Sequence, residues 1–394
     1  MDNNTTTSKQ KSIKIGFISD HDPLDRRPWS GTKNRLYEQV KECSSEIVWI
    51  KVSYDWTTYL FRAFLKLTAA FFGKRYSSVH TTFISKRLAA SISKEEMERV
   101  DILFAPSGGQ YIAYLKTTKP IVYLLDATFH GIYDYYPDFS NFLSFNRKQG
   151  EQMEYRALKN ASHIIASSDW SKDSVIGDYG IDPSKVSVIE FGANVNMEDI
   201  CNHSARSLSR PALNKRLQLL FIGVEWERKG GDIAVACVQS LNEMGIPSDL
   251  YVIGTSLPSE YKHLTFLKEV GFLNKNIPEQ YDRFVSIMQA GDFLLLPTRA
   301  ECSAIAFCEA SAYGLPTLTY DTGGIPNYVK NGVNGYRLPL SANGEDFAEK
   351  IKSILDAETL DSLSKSSQAY YTSCLNWQTW REKFRNLMAV CQEK

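Results

Sequence analysis

Short, continuous runs of apolar residues alternate with helical patterns along this chain, and they do so in two consecutive series. The first series predicts six strands, at 12–19, 46–52, 101–106, 120–126, 163–168 and 186–192. The second predicts four strands, at 217–224, 249–254, 292–297 and 315–321, with helices at 230–244, 278–290, 303–313 and 345–355. Continuous apolar strands between helices are typical of a parallel sheet that is covered on both faces. The sequence therefore predicts an α/β protein with two Rossmann-like units.

A polar stretch at 194–216 separates the two series, and 394 residues exceed what one ordinary core holds. We predict a disordered lead-in at 1–11, an N-terminal Rossmann-like domain at 12–195 and a C-terminal one at 216–375. The last segment, 376–394, predicts a helix capped by Asn376, which we expect to pack back on the N-terminal domain. Ligands of open parallel sheets bind at the carboxyl ends of the strands. We therefore expect a site in a cleft between two facing domains.

The composition of the chain bears on its partners and on its cellular compartment. Acidic residues balance Lys plus Arg at 45 each, which gives no support for nucleic acid as a partner. The seven cysteines (43, 201, 237, 302, 308, 374 and 391) are scattered without a CxxC pair, which suits buried thiols in a reducing compartment and suggests no metal cage. The N-terminus lacks the apolar region of a signal peptide. We expect a cytoplasmic protein.

The segment 56–76, "WTTYLFRAFLKLTAAFFGKRY", comes nearest to a membrane span, but Arg62 and Lys66 interrupt its apolar run, so no run reaches the roughly eighteen residues needed to cross a bilayer. A basic, aromatic helix of this kind could lie in a membrane interface, at the inner face of the membrane. It could equally be a core helix of the first domain, which is the slightly favoured interpretation.

The stretch "PTRAECSAIAFCEASAYGLP", 297–316, places Glu301 in the turn after a buried strand and Glu309 within a predicted helix. The helical neighbours of Glu309 on its own face are apolar or small, so its carboxylate needs a partner, which is either a basic side chain of the fold or a ligand. Ser303 is the predicted N-cap, and the amides of 304–306 would be free to donate hydrogen bonds.

A second motif, "FIGVEWERKGGD" at 221–232, leads from the first strand of the second series through a loop into a helix that begins near Gly230 or Gly231. Arg228 and Lys229 stand just before the amides of that helix, a combination that suits phosphate. A solvated, charged loop is the alternative interpretation of this motif.

The motifs at 221–232 and 297–316 resemble those of a known family. Glu301 and Glu309 match the E-x7-E signature of retaining, nucleotide-sugar-dependent glycosyltransferases of family 4, which have the two-domain GT-B architecture. "GVEWERKGG" resembles their diphosphate site, and "YDTGGIPNYVKNGVNGYRLP" (320–339) resembles the segment that follows the signature. "HIIASSDWSKDSVIGDYGIDPSKVSVIEFGANV" (163–195) resembles the end of their N-terminal domain. The resemblance spans nearly the whole chain.

The resemblance implies roles for individual residues. Lys229 would neutralise the donor diphosphate, Glu309 would bind the ribose hydroxyls and Glu301 would hold the donor sugar. The remaining implied donor contacts are the glycine-loop pair Gly31 and Thr32, the phosphate-loop glycine Gly223, the base-facing Phe272 and Leu273, and Ser303, Ala304, Ile305 and Ala306 beside the sugar and phosphates.

The chain departs from the family pattern at two positions. Val224 stands where a basic residue often follows the phosphate-loop glycine, and Arg228 would substitute for it. Asp126 stands where the family often has a histidine beside the reacting sugar, with His130 four residues on. We assign Asp126 the catalytic role, with Lys229 and Glu301, as a hydrogen-bond acceptor for a sugar hydroxyl or for the proton of the acceptor.

The resemblance implies a UDP-sugar or GDP-mannose donor, of which UDP is the commoner, and a glycan or lipid-linked acceptor. No metal or other cofactor is expected. The family's usual account of retention is a front-face attack, in which the leaving phosphate accepts the acceptor's proton. Other interpretations are a nucleotide-sugar 2-epimerase of the same architecture, a two-domain sugar-binding module, a dehydrogenase, and a DxD metal site at Asp20 and Asp22.

Overall fold

The computed structural model describes residues 13–201 and 216–392, and these form two parallel sheets of six strands each. The strands are β1 (Lys14–Ser19), β2 (Glu46–Lys51), β3 (Ile102–Pro106), β4 (Ile121–Leu125), β5 (His163–Ala166), β6 (Val186–Val188), β7 (Leu217–Ile222), β8 (Ser248–Ile253), β9 (Leu267–Gly271), β10 (Phe293–Leu295), β11 (Thr317–Tyr320) and β12 (Gly335–Leu338). The first sheet has the order β2-β1-β3-β4-β5-β6 and the second has the order β12-β11-β10-β7-β8-β9. Both predicted Rossmann-like units are confirmed. The predicted lead-in, 1–11, lies outside the described residues.

Helices cover the faces of these sheets. They are α1 (Thr32–Glu42), α2 (Trp56–Phe71), α3 (Thr82–Ser91), α4 (Lys94–Glu98), α5 (Gly109–Ile112), α6 (Phe129–Ile132), α7 (Ser144–Asn160), α8 (Asp169–Gly177), α9 (Met197–Cys201), α10 (Gly231–Glu243), α11 (Pro278–Ala290), α12 (Ile305–Ala312), α13 (Ile325–Tyr328), α14 (Gly344–Asp356), α15 (Leu360–Ser373) and α16 (Trp377–Gln392). All ten predicted strands are present. The structure adds β9 and β12, which are the two edge strands of the second sheet.

Strand order decides where a ligand can bind. In the first sheet the order reverses between β1 and β3, and in the second it reverses between β7 and β10. Loops that leave the carboxyl ends of neighbouring strands diverge at such a reversal and open a crevice. The loops after β1, β7 and β10, which carry the sequence motifs, are therefore brought to the crevices of their own sheets.

The last helix, α16, belongs by its packing to the first sheet, as predicted. The Asn376 side chain caps it by accepting a hydrogen bond of 2.8 Å from the Thr379 amide. Trp380 is fully buried and stacks on Phe384 with 5.0 Å between ring centroids, and Phe384 packs against Phe104 of β3 at 5.4 Å. The chain thus returns from the second sheet to cover the first.

The favoured interpretation of 56–76 as a core helix is wrong. Most large apolar side chains of α2 and the residue after it face solvent: Leu67 is 72% exposed, Phe71 84% and Phe72 62%. Only Thr58, Leu65 and Ala69 of this helix are buried. Apolar composition alone does not say whether a helix has a protein surface to cover. Within residues 13–201 and 216–392, no helix is long and apolar enough to cross a membrane.

Replacing Trp380 tests the packing of α16. We expect Trp380→Ala to lower the free energy of unfolding by about 3–5 kcal/mol, since it removes a large buried aromatic and leaves a cavity against the first sheet. Asn386→Ala is the matched control, because Asn386 is an exposed residue of the same helix. Urea unfolding of both variants is the measurement, and an equal midpoint for the two would contradict the packing described.

Candidate active site

A cavity of about 860 Å³ lies between the two sheets, and residues of both line it. The lining includes all but one of the residues to which the resemblance gives a donor-binding or catalytic role: Thr32, Asp126, Gly223, Arg228, Lys229, Phe272, Leu273, Glu301, Ser303, Ala304, Ile305, Ala306 and Glu309. Gly31 is not itself a lining residue, although Ser30 and Thr32 on either side of it are. The structure therefore brings the separate motifs together at one place.

Glu301 is a buried carboxylate, 7% exposed, that is held between two cations from the loop after β7. Lys229 Nζ donates a hydrogen bond to Glu301 Oε2, and Arg228 Nη1 lies 3.6 Å from the same oxygen. Arg228 also pairs with Glu225 at 2.6 Å and donates to the Ala300 carbonyl at 2.8 Å. A buried carboxylate is stable only when it is paired in this way, so Glu301 and the two cations form one unit.

Two glycines let the loop after β7 close over this unit. Gly230 has φ +75° and caps α10, and a Cβ atom there would lie 2.1 Å from the Pro297 carbonyl oxygen. A Cβ on Gly223 would lie 2.8 Å from Lys229 Cγ. Both positions therefore require glycine, because the Lys229 side chain and the loop after β10 occupy the space that any other side chain would need.

The helix that carries Glu309 begins two residues later than predicted. Ala304, not Ser303, is the N-cap of α12, and no side chain caps this helix. In the chain before it, Tyr135 Oη accepts a hydrogen bond from the Glu301 amide at 2.9 Å and Tyr136 Oη accepts one from the Cys302 amide at 3.1 Å, and the Ala304 backbone is extended. The first amides of α12 thus lack a side-chain partner at residues that line the cavity.

The partner of Glu309 in this structure is a basic side chain of the fold. Lys275 Nζ lies 2.5 Å from Glu309 Oε1 and also 4.0 Å from the centre of the Phe284 ring. Glu309 is 3% exposed. Burial raises its pKa, and the positive charge of Lys275 acts in the opposite direction. Lys275 was missed by the sequence analysis because it follows β9, a strand that the apolar pattern did not indicate.

Asp126 faces this cluster from the first sheet, at the end of β4. Its Oδ2 accepts a hydrogen bond of 3.2 Å from the Trp29 indole. Burial raises the pKa of Asp126 to about 6, the Trp29 hydrogen bond acts in the opposite direction, and the negative charge of Glu301 raises it further. His130, the alternative, is exposed, does not line the cavity, and pairs with Glu151 at 3.2 Å. The structure thus puts Asp126, and not His130, in the cavity.

The turn that contains Trp29 is connected by hydrogen bonds, through Asn194, to the last helix. Trp29, Ser30 and Gly31 all have positive φ, of 52°, 55° and 86°. Asn194 Nδ2 donates a hydrogen bond of 2.7 Å to the Ser30 carbonyl, and Asn194 Oδ1 accepts one of 3.0 Å from the Trp377 indole at the start of α16. Non-glycine residues persist in such a backbone when their surroundings hold them. The last helix therefore helps to position the wall of the cavity.

The two aspartates of the DxD interpretation lie apart from this cavity. Asp20 pairs with Lys33 at 3.1 Å and with His21 at 2.7 Å, and neither Asp20 nor Asp22 is a lining residue. Asp22 Oδ1 instead accepts a hydrogen bond of 2.8 Å from the Leu24 amide. In the part of the chain that the structure describes, no group of three or more His, Cys, Asp or Glu side chains is arranged to hold a metal ion.

Two protein-family models match the sequence. The model for glycosyl transferases group 1 matches residues 208–370, and the model for glycosyltransferase family 4 matches residues 45–196. Together these two ranges cover most of the chain.

Individual relatives and solved structures agree with these matches. The D-inositol 3-phosphate glycosyltransferase of Corynebacterium diphtheriae is 24% identical over 253 residues, 59% of this chain and 57% of that protein. The chain thus spans about half the length of the curated relatives it matches. The structure of Anabaena HepE in complex with UDP and glucose has a TM-score of 0.64 at 15% identity, covering 96% of this chain and all of that one. The structure of sucrose-phosphate synthase from Thermosynechococcus elongatus has a TM-score of 0.65 at 14% identity, covering 97% of this chain and 99% of that one. These likenesses establish the fold as the two-domain GT-B architecture.

The raised pKa of Asp126 predicts a pH dependence of stability. Between its ordinary value of 3.8 and about 6, the folded chain binds a proton that the unfolded chain has released, so the free energy of unfolding falls as pH rises through this window. We expect Asp126→Asn to remove this part of the pH dependence. Urea unfolding from pH 4 to 7 is the measurement, with Asp173→Asn, an exposed aspartate of α8, as the control. A slope equal to that of the parent would contradict the raised pKa of Asp126.

Proposed function

The chain belongs to the family 4 glycosyltransferases, and on this premise we propose that it transfers a sugar from a nucleoside-diphosphate donor to a hydroxyl of a glycan or lipid-linked acceptor. The observation that carries the proposal is the meeting of Lys229, Arg228, Glu301 and Glu309 in one cavity, with Asp126 opposite. UDP-sugars are the favoured donors, because the structurally similar HepE was solved in complex with UDP and glucose and UDP is the commoner donor.

The donor half of the site is assigned to the second sheet. Lys229 and Arg228 neutralise the diphosphate, together with the first amides of α12, because cations and free helix amides both favour phosphate. Glu301 accepts hydrogen bonds from the hydroxyls of the donor sugar. Glu309 turns from Lys275 to the ribose, and the loop at Phe272 and Leu273, just beyond β9, meets the base.

The proposed reaction is a front-face substitution with retention. The acceptor oxygen forms a bond to the anomeric carbon as the bond from that carbon to the phosphate oxygen breaks, and the acceptor's proton moves to the leaving phosphate. The protein acts by positioning the reactants and by stabilising charge on the diphosphate. Asp126 accepts a hydrogen bond from a sugar hydroxyl. Because Lys229 and Arg228 supply the positive charge, we propose that the reaction needs no metal ion.

Replacing Glu301 and replacing Glu309 should have different effects on sugar transfer and on UDP binding. Glu301→Ala removes a contact to the sugar that strengthens in the transition state, so we expect most transfer to be lost while UDP still binds. Glu309→Ala removes a charged hydrogen-bond partner of the ribose and should weaken UDP binding by about 1–3 kcal/mol. Calorimetry with UDP, or with GDP if UDP does not bind, measures the nucleotide affinity of both variants. Glu309→Ala with the affinity of the parent would mean that this carboxylate serves only its ion pair with Lys275.

The exposed face of α2 supports a further part of the proposal, which is contact with an anionic membrane surface. Large apolar side chains of this helix are exposed, and the stretch 56–94 contains seven basic residues and no acidic one, in a chain whose total charge is zero. Apolar and aromatic groups flanked by Lys and Arg suit a bilayer interface that carries negative lipids. A protein partner without acidic groups would not match this charge.

Charge reversal tests the membrane contact. Lys66→Glu with Lys74→Glu should weaken binding to phosphatidylglycerol-containing vesicles markedly, since each basic group near such a surface contributes about 1 kcal/mol. Lys262→Glu with Lys365→Glu is the matched control, because it makes the same charge change at exposed positions of the second half. Vesicle sedimentation is the measurement. Equal binding by the two double variants, or no binding by the parent, would reject the contact.

A further inference from the structure

The part of the cavity that belongs to the first sheet contains groups that the donor does not use. We call it the inner pocket, and define it by Tyr123, Asp126, Glu154 and the apolar side chains of Val79, Phe129, Ile132, Phe139 and Met153, all of which line the cavity. Tyr123 Oη donates a hydrogen bond of 3.0 Å to Glu154 Oε1. Gly109 leaves room for this hydroxyl, because a Cβ atom there would lie 2.6 Å from it.

The charges of the inner pocket are unsuited to an anion. Its two carboxyl groups, Asp126 and Glu154, lie inside, whereas the basic lining residues described on this side, Arg26 and Arg27, are exposed. Arg27 is moreover paired with Asp25 at 2.8 Å. His80 also lines this side, but burial lowers its pKa to about 4, so it is neutral at physiological pH. A phosphate group in the pocket would face carboxyl groups without a buried cation to balance it.

The remaining side chains that define the inner pocket are apolar. Phe129 is fully buried, and the His80 ring packs between it and Phe139, with ring centroids 4.8 Å and 5.7 Å away. Ile132 and Met153 complete this wall. A hydrocarbon or other apolar group would be favoured here, because it would remove the half-buried side chains of Val79, Ile132 and Phe139 from water. Tyr123, Asp126 and Glu154 are the polar groups that lie beside this wall in the inner pocket as defined above.

We propose that the inner pocket is the acceptor subsite and that it takes an uncharged, hydroxyl-bearing ring joined to an apolar group. The ring hydroxyls bind to Glu154, Tyr123 and Asp126, and the apolar group lies against Phe129, Phe139 and Met153. The proposal rests on the glycosyl transfer proposed above and adds the class of acceptor. It separates this chain from relatives whose names specify a phosphorylated acceptor, inositol 3-phosphate.

Glu154 is the specificity-determining residue in this proposal. It is 4% exposed. Burial raises its pKa to about 7; the hydrogen bonds of the Tyr123 hydroxyl and the Phe129 amide act in the opposite direction, and the charges of Glu151 and Asp126 raise it further. In its neutral form the carboxyl group can donate one hydrogen bond and accept another, which matches the two roles of a sugar hydroxyl.

The test uses the full chain saturated with UDP and two probes, octyl β-D-glucoside below its micelle concentration and inositol 3-phosphate. We expect calorimetry to show octyl glucoside binding at least about tenfold more tightly than inositol 3-phosphate. Glu154→Leu should weaken octyl glucoside binding about tenfold or more, since it leaves the Tyr123 hydroxyl and the ring hydroxyl without their partner. Glu154→Gln should restore most of that affinity, and both variants should bind UDP as the parent does.

A control variant separates the pocket from the exposed face of α2, which could also bind a detergent. Phe71→Ser, on that face, should leave octyl glucoside binding to the pocket unchanged. The acceptor subsite is overturned if inositol 3-phosphate binds as tightly as octyl glucoside, if octyl glucoside does not bind, or if Glu154→Leu has no effect on it. Failure of the chain to bind either UDP or GDP would instead reject the proposed function itself.

Discussion

The buried ion cluster of Glu301 with Lys229 and Arg228 is the interaction on which the geometry of the cavity depends. A carboxylate that is 7% exposed needs its cations, so the loops after β7 and β10 cannot separate without leaving a buried charge unpaired. The same residue is fixed from the other half of the molecule, because Tyr135 Oη binds its amide. Glu301 is therefore one of the residues through which the two halves are connected, together with Cys302, whose amide donates to Tyr136 Oη, and Tyr328, whose hydroxyl donates to the Ser167 carbonyl.

The sequence predicted most of the fold because buried parallel strands are continuous apolar runs. β3, β4 and β10 are buried throughout and were predicted within a residue or two. β9 and β12 lie at the edges of the second sheet, and their sequences, LKEVG and GYRL, mix charged and apolar residues because an edge strand is only partly covered. The helix α2 was misjudged for the opposite reason, since its apolar residues resemble those of a core helix.

Prediction of the site succeeded where residues follow predicted strands and failed where contacts cross between elements. Asp126 directly follows β4, whereas Lys229 and Glu301 lie in the loops after β7 and β10. Parallel pairing brings the loops after β7 and β10 to one edge of the second sheet. Lys275 lies 34 positions from Glu309 in the sequence, and Tyr135 lies 166 positions from Glu301. No local pattern encodes such pairs. The predicted cap at Ser303 was wrong by one residue, since Ala304 is the N-cap and no side chain caps this helix.

The exposed face of α2 and the inner pocket are connected through the chain between them. Directly after α2, the Arg75 amide donates a hydrogen bond of 2.9 Å to the Asn141 carbonyl, and the Arg75 carbonyl accepts one of 3.1 Å from the Leu143 amide. The loop held in this way contains Phe139, which lines the pocket and packs on His80. An acceptor with an apolar group would meet apolar surface both on α2 and in the pocket. A single acceptor chemistry, an uncharged sugar on a lipid, therefore accounts for two features that the donor half of the site leaves unexplained.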